Sequence, residues 1–155
     1  MVGNAPEKRP DDLERSHEEQ QQAMKATRTH VVEEFDGTAA AVGDARAWAV
    51  SRLPAGCSRA DDVAVVVSEL ATNAVLHSAS GHRCATFRVR LDLAPGEVTI
   101  SVTDRGAAAA SAPRLTDEGG WGLLIVRNLA DSYEETVEPT VRTAACRIVW
   151  STRPG

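Results

Sequence analysis

Long apolar runs, an excess of basic charge and paired cysteines are all missing from this 155-residue sequence. No stretch approaches the ~20 consecutive apolar residues that a membrane-spanning helix needs, so a transmembrane segment is excluded. The formal net charge is -5, and without a concentrated basic face direct nucleic-acid binding is not expected. Cysteine stands only at Cys57, Cys84 and Cys146. An odd, widely spaced set with no CxxC pair makes no disulfide framework, and a reducing cytoplasm is the expected setting. His77, His82 and Cys84 fall close together, yet the loop SASGH between two elements accounts for them more simply than zinc does. The opening MVGNAPEKRPDDLERSHEEQ has no apolar stretch, which gives the expectation of no secretory signal.

What is present suits one soluble domain with one core: 43% of residues are hydrophobic and 25% charged. Residues 1–28 are polar and almost free of large apolar side chains. They are expected to form a disordered arm, with a short helical stretch within LERSHEEQQQAMKA. The folded domain is expected over 29–155. THVVEEF reads as a strand closed by the turn signal DG. In TAAAVGDARAWAVSRL, the residues Val42, Ala45, Trp48, Ala49 and Leu53 recur at helical spacing. A second helix runs from about Asp61 to His77, with Ser58 or Asp61 as its cap. Phe87, Val89 and Leu91 alternate with Arg88, Arg90 and Asp92, and Val98, Ile100 and Val102 alternate likewise. Two such strands across a Pro-Gly turn predict an antiparallel hairpin.

After it come about 16 small and polar residues, RGAAAASAPRLTDEGG, a length that is usually functional inside a compact domain. WGLLIVRNLADSYEE is expected to be a helix with Leu123, Ile125, Val126 and Leu129 buried, and TVRTAACRIVWSTR a last strand. The fold expected from this order is an α/β two-layer sandwich: a mixed, mostly antiparallel sheet with helices on one face.

The helix over 61–77 poses a problem. Glu69, Asn73 and His77 recur at steps of four, so they stack on one face of a helix whose other sides are Val63, Val66, Val67, Leu70, Ala74, Val75 and Leu76. Glu69 and Asn73 are hard oxygen donors, suited to Mg²⁺ directly or through its waters, and a carboxylate beside phosphate is also a candidate general base. His77 falls where a helix C-terminus favours a partly cationic ring. Asp104 closes the strand ISVTD and is followed by Gly106. A carboxylate there can accept from an exocyclic amine such as that of adenine. GGWGL offers backbone amides at a helix start, a ready phosphate site. Each feature alone reads most simply as a solvated pair, a turn or a loop; together and in this order they point to a nucleotide pocket.

The ordered set ELxxNAxxH, DRG and GGWGL resembles the N, G1 and G2 boxes of the GHKL ATPase superfamily, and the short layout resembles the anti-sigma factor serine kinases of Gram-positive bacteria. The resemblance covers about residues 29–152. It implies the Bergerat fold, with ATP held between sheet and helices. Glu69 would be the catalytic base and Asn73 the Mg²⁺ ligand. Asp104 would bind the adenine amino group and Gly106 shape the pocket. Gly120 and Gly122 would offer amides to phosphate ahead of Leu123, and residues 107–119 would form the lid over ATP. It further implies a sigma factor and an anti-sigma-factor antagonist as protein partners, a serine or threonine of the antagonist as phosphoryl acceptor, and a homodimer, with Arg46 on a partner surface. Two departures fall on the adenine side: Ala108 replaces the second glycine of DxGxG, and Cys146 aligns where many relatives carry threonine. Trp121 would pack over the lid or in the core, the commoner role. Arg114, in that lid, reads as a solvated arginine. Two rival readings stay open: a nucleotide-binding partner module without kinase turnover, and the catalytic domain of a histidine kinase, for which the segment before Thr29 is short.

Overall fold

The structure, a computed structural model, describes residues 10–26, 28–77, 86–104 and 120–152. In chain order the elements are α1 (Pro10–Ala26), β1 (Thr29–Asp36), α2 (Ala39–Arg52), α3 (Ala60–His77), β2 (Thr86–Ala94), β3 (Glu97–Asp104), α4 (Gly120–Leu129), β4 (Ser132–Val137) and β5 (Arg142–Val149). The five strands form one sheet in the order β1-β2-β3-β5-β4. All its pairings are antiparallel, so the mixed sheet expected from the sequence narrows to an antiparallel one. The arm carries a helix of 17 residues, α1, which contains the expected helical stretch. Its side chains at 10, 11 and 13–20 are exposed.

Alternation sorts the sheet into two faces. Phe87, Val89 and Leu91 of β2, Val98, Ile100 and Val102 of β3, and Cys146 and Ile148 of β5 are buried under the helices. Arg90, on the same strand as the first three, is exposed. Burying these side chains supplies the main driving force of the fold, about 25 cal/mol for each Å² of apolar surface removed from water. The β2–β3 hairpin turns at Gly96, whose φ of 74° favours glycine. A Cβ there would also meet the Trp150 carbonyl at 2.9 Å.

The helical layer is built around α3. Val63, Val66, Val67, Leu70, Ala71 and Ala74 are buried, whereas Leu76 is exposed. α2 presents Ala41, Ala45 and Ala49, one alanine per turn, so the two backbones approach closely; Val42, Trp48 and Leu53 pack at the margin. Thr38 caps α2, its hydroxyl accepting from Ala41 N at 3.2 Å. Phe35 of β1 stacks on Phe87 and meets Trp48 edge-on.

α4 departs from expectation in three ways. It ends at Leu129, and SYEETV forms the edge strand β4 rather than more helix. The stop comes from tertiary partners. The Arg59 guanidinium donates to the Leu129 carbonyl, to Val149 O at 3.2 Å, and to Asp62 and Asp131 at 2.9 and 3.2 Å. Asp131 in turn accepts from Val149 N at 2.8 Å, and its own N–H pairs with Arg147 O. The buried stripe is also narrower: Val126 is buried but Ile125 is exposed. Trp121 is 70% exposed rather than core.

Candidate functional site

A cleft opens between the helices and the end of the sheet where β3 finishes and β5 begins. Leu70, Asn73, Ala74, Val102, Asp104, Leu123, Tyr133, Arg142 and Ala144 line it, and its empty volume is about 340 Å³ with the solvent at its mouth included. The sequence dictates the convergence. Asn73 lies one turn beyond Glu69 on α3, and Leu70 and Ala74 beside them anchor that helix in the core. Asp104 is the last residue of β3, on the face of the sheet that carries Val98, Ile100 and Val102, so alternation turns it towards the helices. Leu123 comes from the first turn of α4.

Asp104 is the polar anomaly of the molecule. It is only 8% exposed and is the charged residue buried among the described ones. Its Oδ1 is buried without a hydrogen-bond partner. Burial pushes the carboxyl up to about 6, against the pull of the Arg142 guanidinium, which acts to lower it. Arg142 stands directly across from Asp104 in the β3–β5 register, yet its ion pair is with Glu135 of β4. The Tyr133 hydroxyl donates to the same Glu135 at 3.3 Å. Burial, with Glu135 adding to it, raises the Tyr133 phenol to about 12, and Arg127 lies over its ring at 5.4 Å. A buried acceptor with no partner costs free energy unless a ligand supplies a donor. The surrounding walls, Leu70, Ala74, Val102, Leu123 and Ala144, are apolar and suit a flat ring. A donor on such a ring would satisfy Asp104.

Of the residues singled out in the sequence, Asn73, Asp104 and Leu123 line one cleft. Glu69 lies outside that lining, packed instead against Gly122 in the first turn of α4. Gly120 opens α4. Gly106, the segment 107–119 with Ala108 and Arg114, His82, Cys84 and the His77 side chain lie outside the described residues. Arg46 is exposed and bonds Ser68 Oγ of α3 at 3.4 Å. Cys146 is not on the cleft. It pairs with Ile100 and Tyr133, is 2% exposed, and burial drives its thiol up to about 12. The β5 residue on the cleft wall is Ala144, two positions earlier on the same face.

Sequence reading missed Tyr133, Arg142 and Ala144. The alternation in RTAACRIV places Arg142 and Ala144 on the inner face with Cys146, but the strand's register against Asp104 is a tertiary fact. Tyr133 was hidden by the over-long helix.

The sequence pattern of the histidine kinase-like ATPase domain family matches residues 33–150. Two anti-sigma F factors, from the Eklund 17B and Alaska E43 strains of Clostridium botulinum, are each 26% identical over 68 residues, 44% of this chain and 48% of theirs. The chain thus spans about half the length of the curated relatives it matches. The solved structure of the RsbU and RsbW domains of a Mycobacterium tuberculosis protein superposes with a TM-score of 0.57 at 22% identity, over 78% of this chain and 32% of that one. That last likeness is one of fold.

Proposed function

Because the chain belongs to the histidine kinase-like ATPase domain family, we propose that its cleft binds Mg-ATP and that it works as an anti-sigma regulator with protein serine/threonine kinase activity. It would hold a sigma factor and phosphorylate an anti-sigma-factor antagonist, working as a homodimer in the cytoplasm. The observation that carries the nucleotide reading is Asp104, a buried carboxylate with an unpartnered oxygen on the wall of an apolar cleft. The names of the clostridial relatives support the anti-sigma part.

Each residue has a task in this reading. Asp104 accepts a hydrogen bond from the adenine amine, and Leu70, Val102 and Ala144 exclude water around the ring. Asn73 offers its amide oxygen to the cation. No group of three His, Cys, Asp or Glu side chains among the described residues could hold a metal alone. Such a site suits Mg²⁺, which takes one or two protein oxygens and completes its shell with phosphate and water. Bound Mg-ATP supplies the transferable phosphoryl group. Glu69 takes the proton of the acceptor hydroxyl, while the amides of Gly120 and Gly122 at the start of α4 stabilise charge on the phosphoryl oxygens.

Calorimetry with Mg-ATP tests the pocket. The wild type should bind, and Asp104→Asn should weaken binding roughly 10- to 100-fold, the worth of a hydrogen bond to a charged group. Equal affinity in the two proteins would remove Asp104 from the site. A second reading, a nucleotide-gated partner module without turnover, draws on the place of Glu69 outside the cleft lining. Glu69→Gln separates the two: binding kept with phosphotransfer lost supports the kinase, while partner release by ATP that is unchanged in the variant supports the module.

A further inference from the structure

Gly122 sits inside the first turn of α4 and packs on α3. A Cβ built at Gly122 would lie 2.5 Å from Glu69 Oε2 and 3.5 Å from Glu69 Cδ. Carbon and oxygen do not sit that close without a bond, so a side chain at 122 and the present position of the carboxylate exclude each other. The atom struck is the tip of a flexible side chain, not backbone. The helix pair can therefore stay where it is while Glu69 swings away. Alanine is meanwhile the best helix former and glycine among the poorest. A substitution at 122 thus acts in two directions: the helix gains and the carboxylate is displaced.

We propose that Gly122 is a positioning residue whose missing side chain seats the Glu69 carboxylate against the amino end of α4. The inference rests on Glu69 being the base of the reaction proposed above. It goes beyond a glycine that lends a backbone amide to phosphate, because alanine keeps that amide. Glu69 reaches this place from mid-α3, where Val66, Val67, Leu70 and Ala71 fix the helix in the core. The seat is therefore defined from both sides, by a rigid helix beneath the carboxylate and a bare Cα above it. Displacing a reacting group by about 1 Å costs on the order of 100-fold in rate.

The test is a cycle of Gly122→Ala, Glu69→Asp and the double variant. Mg-ADP binding is read by calorimetry, phosphoryl release from Mg-ATP under single-turnover conditions, and the carboxylate position from crystal structures of wild type and Gly122→Ala. Gly122→Ala should melt no lower than wild type and bind Mg-ADP within about threefold, yet lose on the order of 10- to 100-fold in turnover. Its crystal structure should show Glu69 moved and α4 unmoved. Aspartate, one methylene shorter, should cost turnover beside Gly122 but little more beside alanine, so the two losses should fail to multiply. Full turnover in Gly122→Ala, losses that multiply, or a carboxylate in its original place would overturn the proposal. A wild type that binds Mg-ADP but hydrolyses no Mg-ATP would sink Glu69 as a base towards water, and one that binds no Mg-ADP would sink the ATP reading. In both cases the pair of crystal structures still decides whether Gly122 seats the carboxylate.

Discussion

The two ends of α3 carry polar clusters of opposite character. At its start, Arg59 reaches four acceptors on three elements: Asp62, the end of α4 at Leu129 O, Asp131 and the Val149 carbonyl. Near its other end, roughly 21 Å along the axis from Arg59 to Asn73, Asp104 is more deeply buried and leaves Oδ1 without a partner. Its nearest cation in register, Arg142, is engaged by Glu135. Folding alone accounts for the first cluster, since every donor closes a helix or strand end. It does not account for the second, because a fold gains nothing from an unpaired buried carboxylate. Satisfaction of hydrogen bonds separates the cluster that ties the molecule together from the one whose buried oxygen is left unpaired.

The sharpest way to break this contrast is to remove Arg59. Arg59→Met keeps the aliphatic stem but takes this donor from the Leu129 and Val149 carbonyls and leaves Asp131 with Val149 N alone. Half-buried charge-assisted bonds are worth about 1.5–3 kcal/mol, so a loss of roughly 2–3 kcal/mol is expected in urea unfolding. ATP affinity of the protein that remains folded should stay within about twofold. A variant as stable as wild type would show the clasp to be ornamental.

Asp104→Asn should do the reverse, gaining stability while losing the nucleotide. The sign follows from the raised carboxyl. The unfolded carboxyl ionises near 3.8 and the folded one at about 6, so between these values the folded state holds the extra proton. Stability attributable to this group is therefore greatest below about 3.8, falls as pH rises through that window, and stays low above 6. Asparagine removes the penalty. The variant should be more stable than wild type at pH 8 by on the order of 1–2 kcal/mol, with the gap closing by pH 4. A gap that widens on acidification would refute burial as the cause of the shift.

The same contrast explains which parts could be read from the sequence. α2, α3 and the β2–β3 hairpin follow periods of 3.6 and two over many residues, β1 shows its β-branched content and closing turn, and the observed elements match them. Asn73 and Asp104 stood out because each breaks or ends such a pattern, and both line the cleft; Leu123, also on its wall, continues the apolar stripe of α4 and was singled out through the family resemblance alone. The stop of α4 was not legible: ADSYEE has no glycine or proline, and the break is imposed by Arg59, 70 residues from the carbonyl it binds. Arg142 and Tyr133 were hidden for a related reason, since the side-by-side placing of β4, β5 and β3 depends on register. Cys146 shows the limit of aligning by residue type, for the inner-face position at the cleft is Ala144.

The smallest expected effect tests why Asp104 is left unpaired. Glu135 engages Arg142 and also accepts from Tyr133, and both partners line the cleft. If Glu135 is what keeps the guanidinium from closing on Asp104, then Glu135→Gln frees it to move across the strand pair. The Asp104 carboxyl should then titrate below its present value of about 6, as an opposite charge at close range favours the ionised form. Because the exchanged pair is partly exposed, the change in stability should stay below about 1 kcal/mol. Carbon-detected NMR of the Asp104 carboxyl would read the shift directly. ATP should bind a few-fold more weakly, since the base must now compete with Arg142 for the same oxygen. An unmoved carboxyl would mean that backbone geometry, and not Glu135, holds the two charges apart.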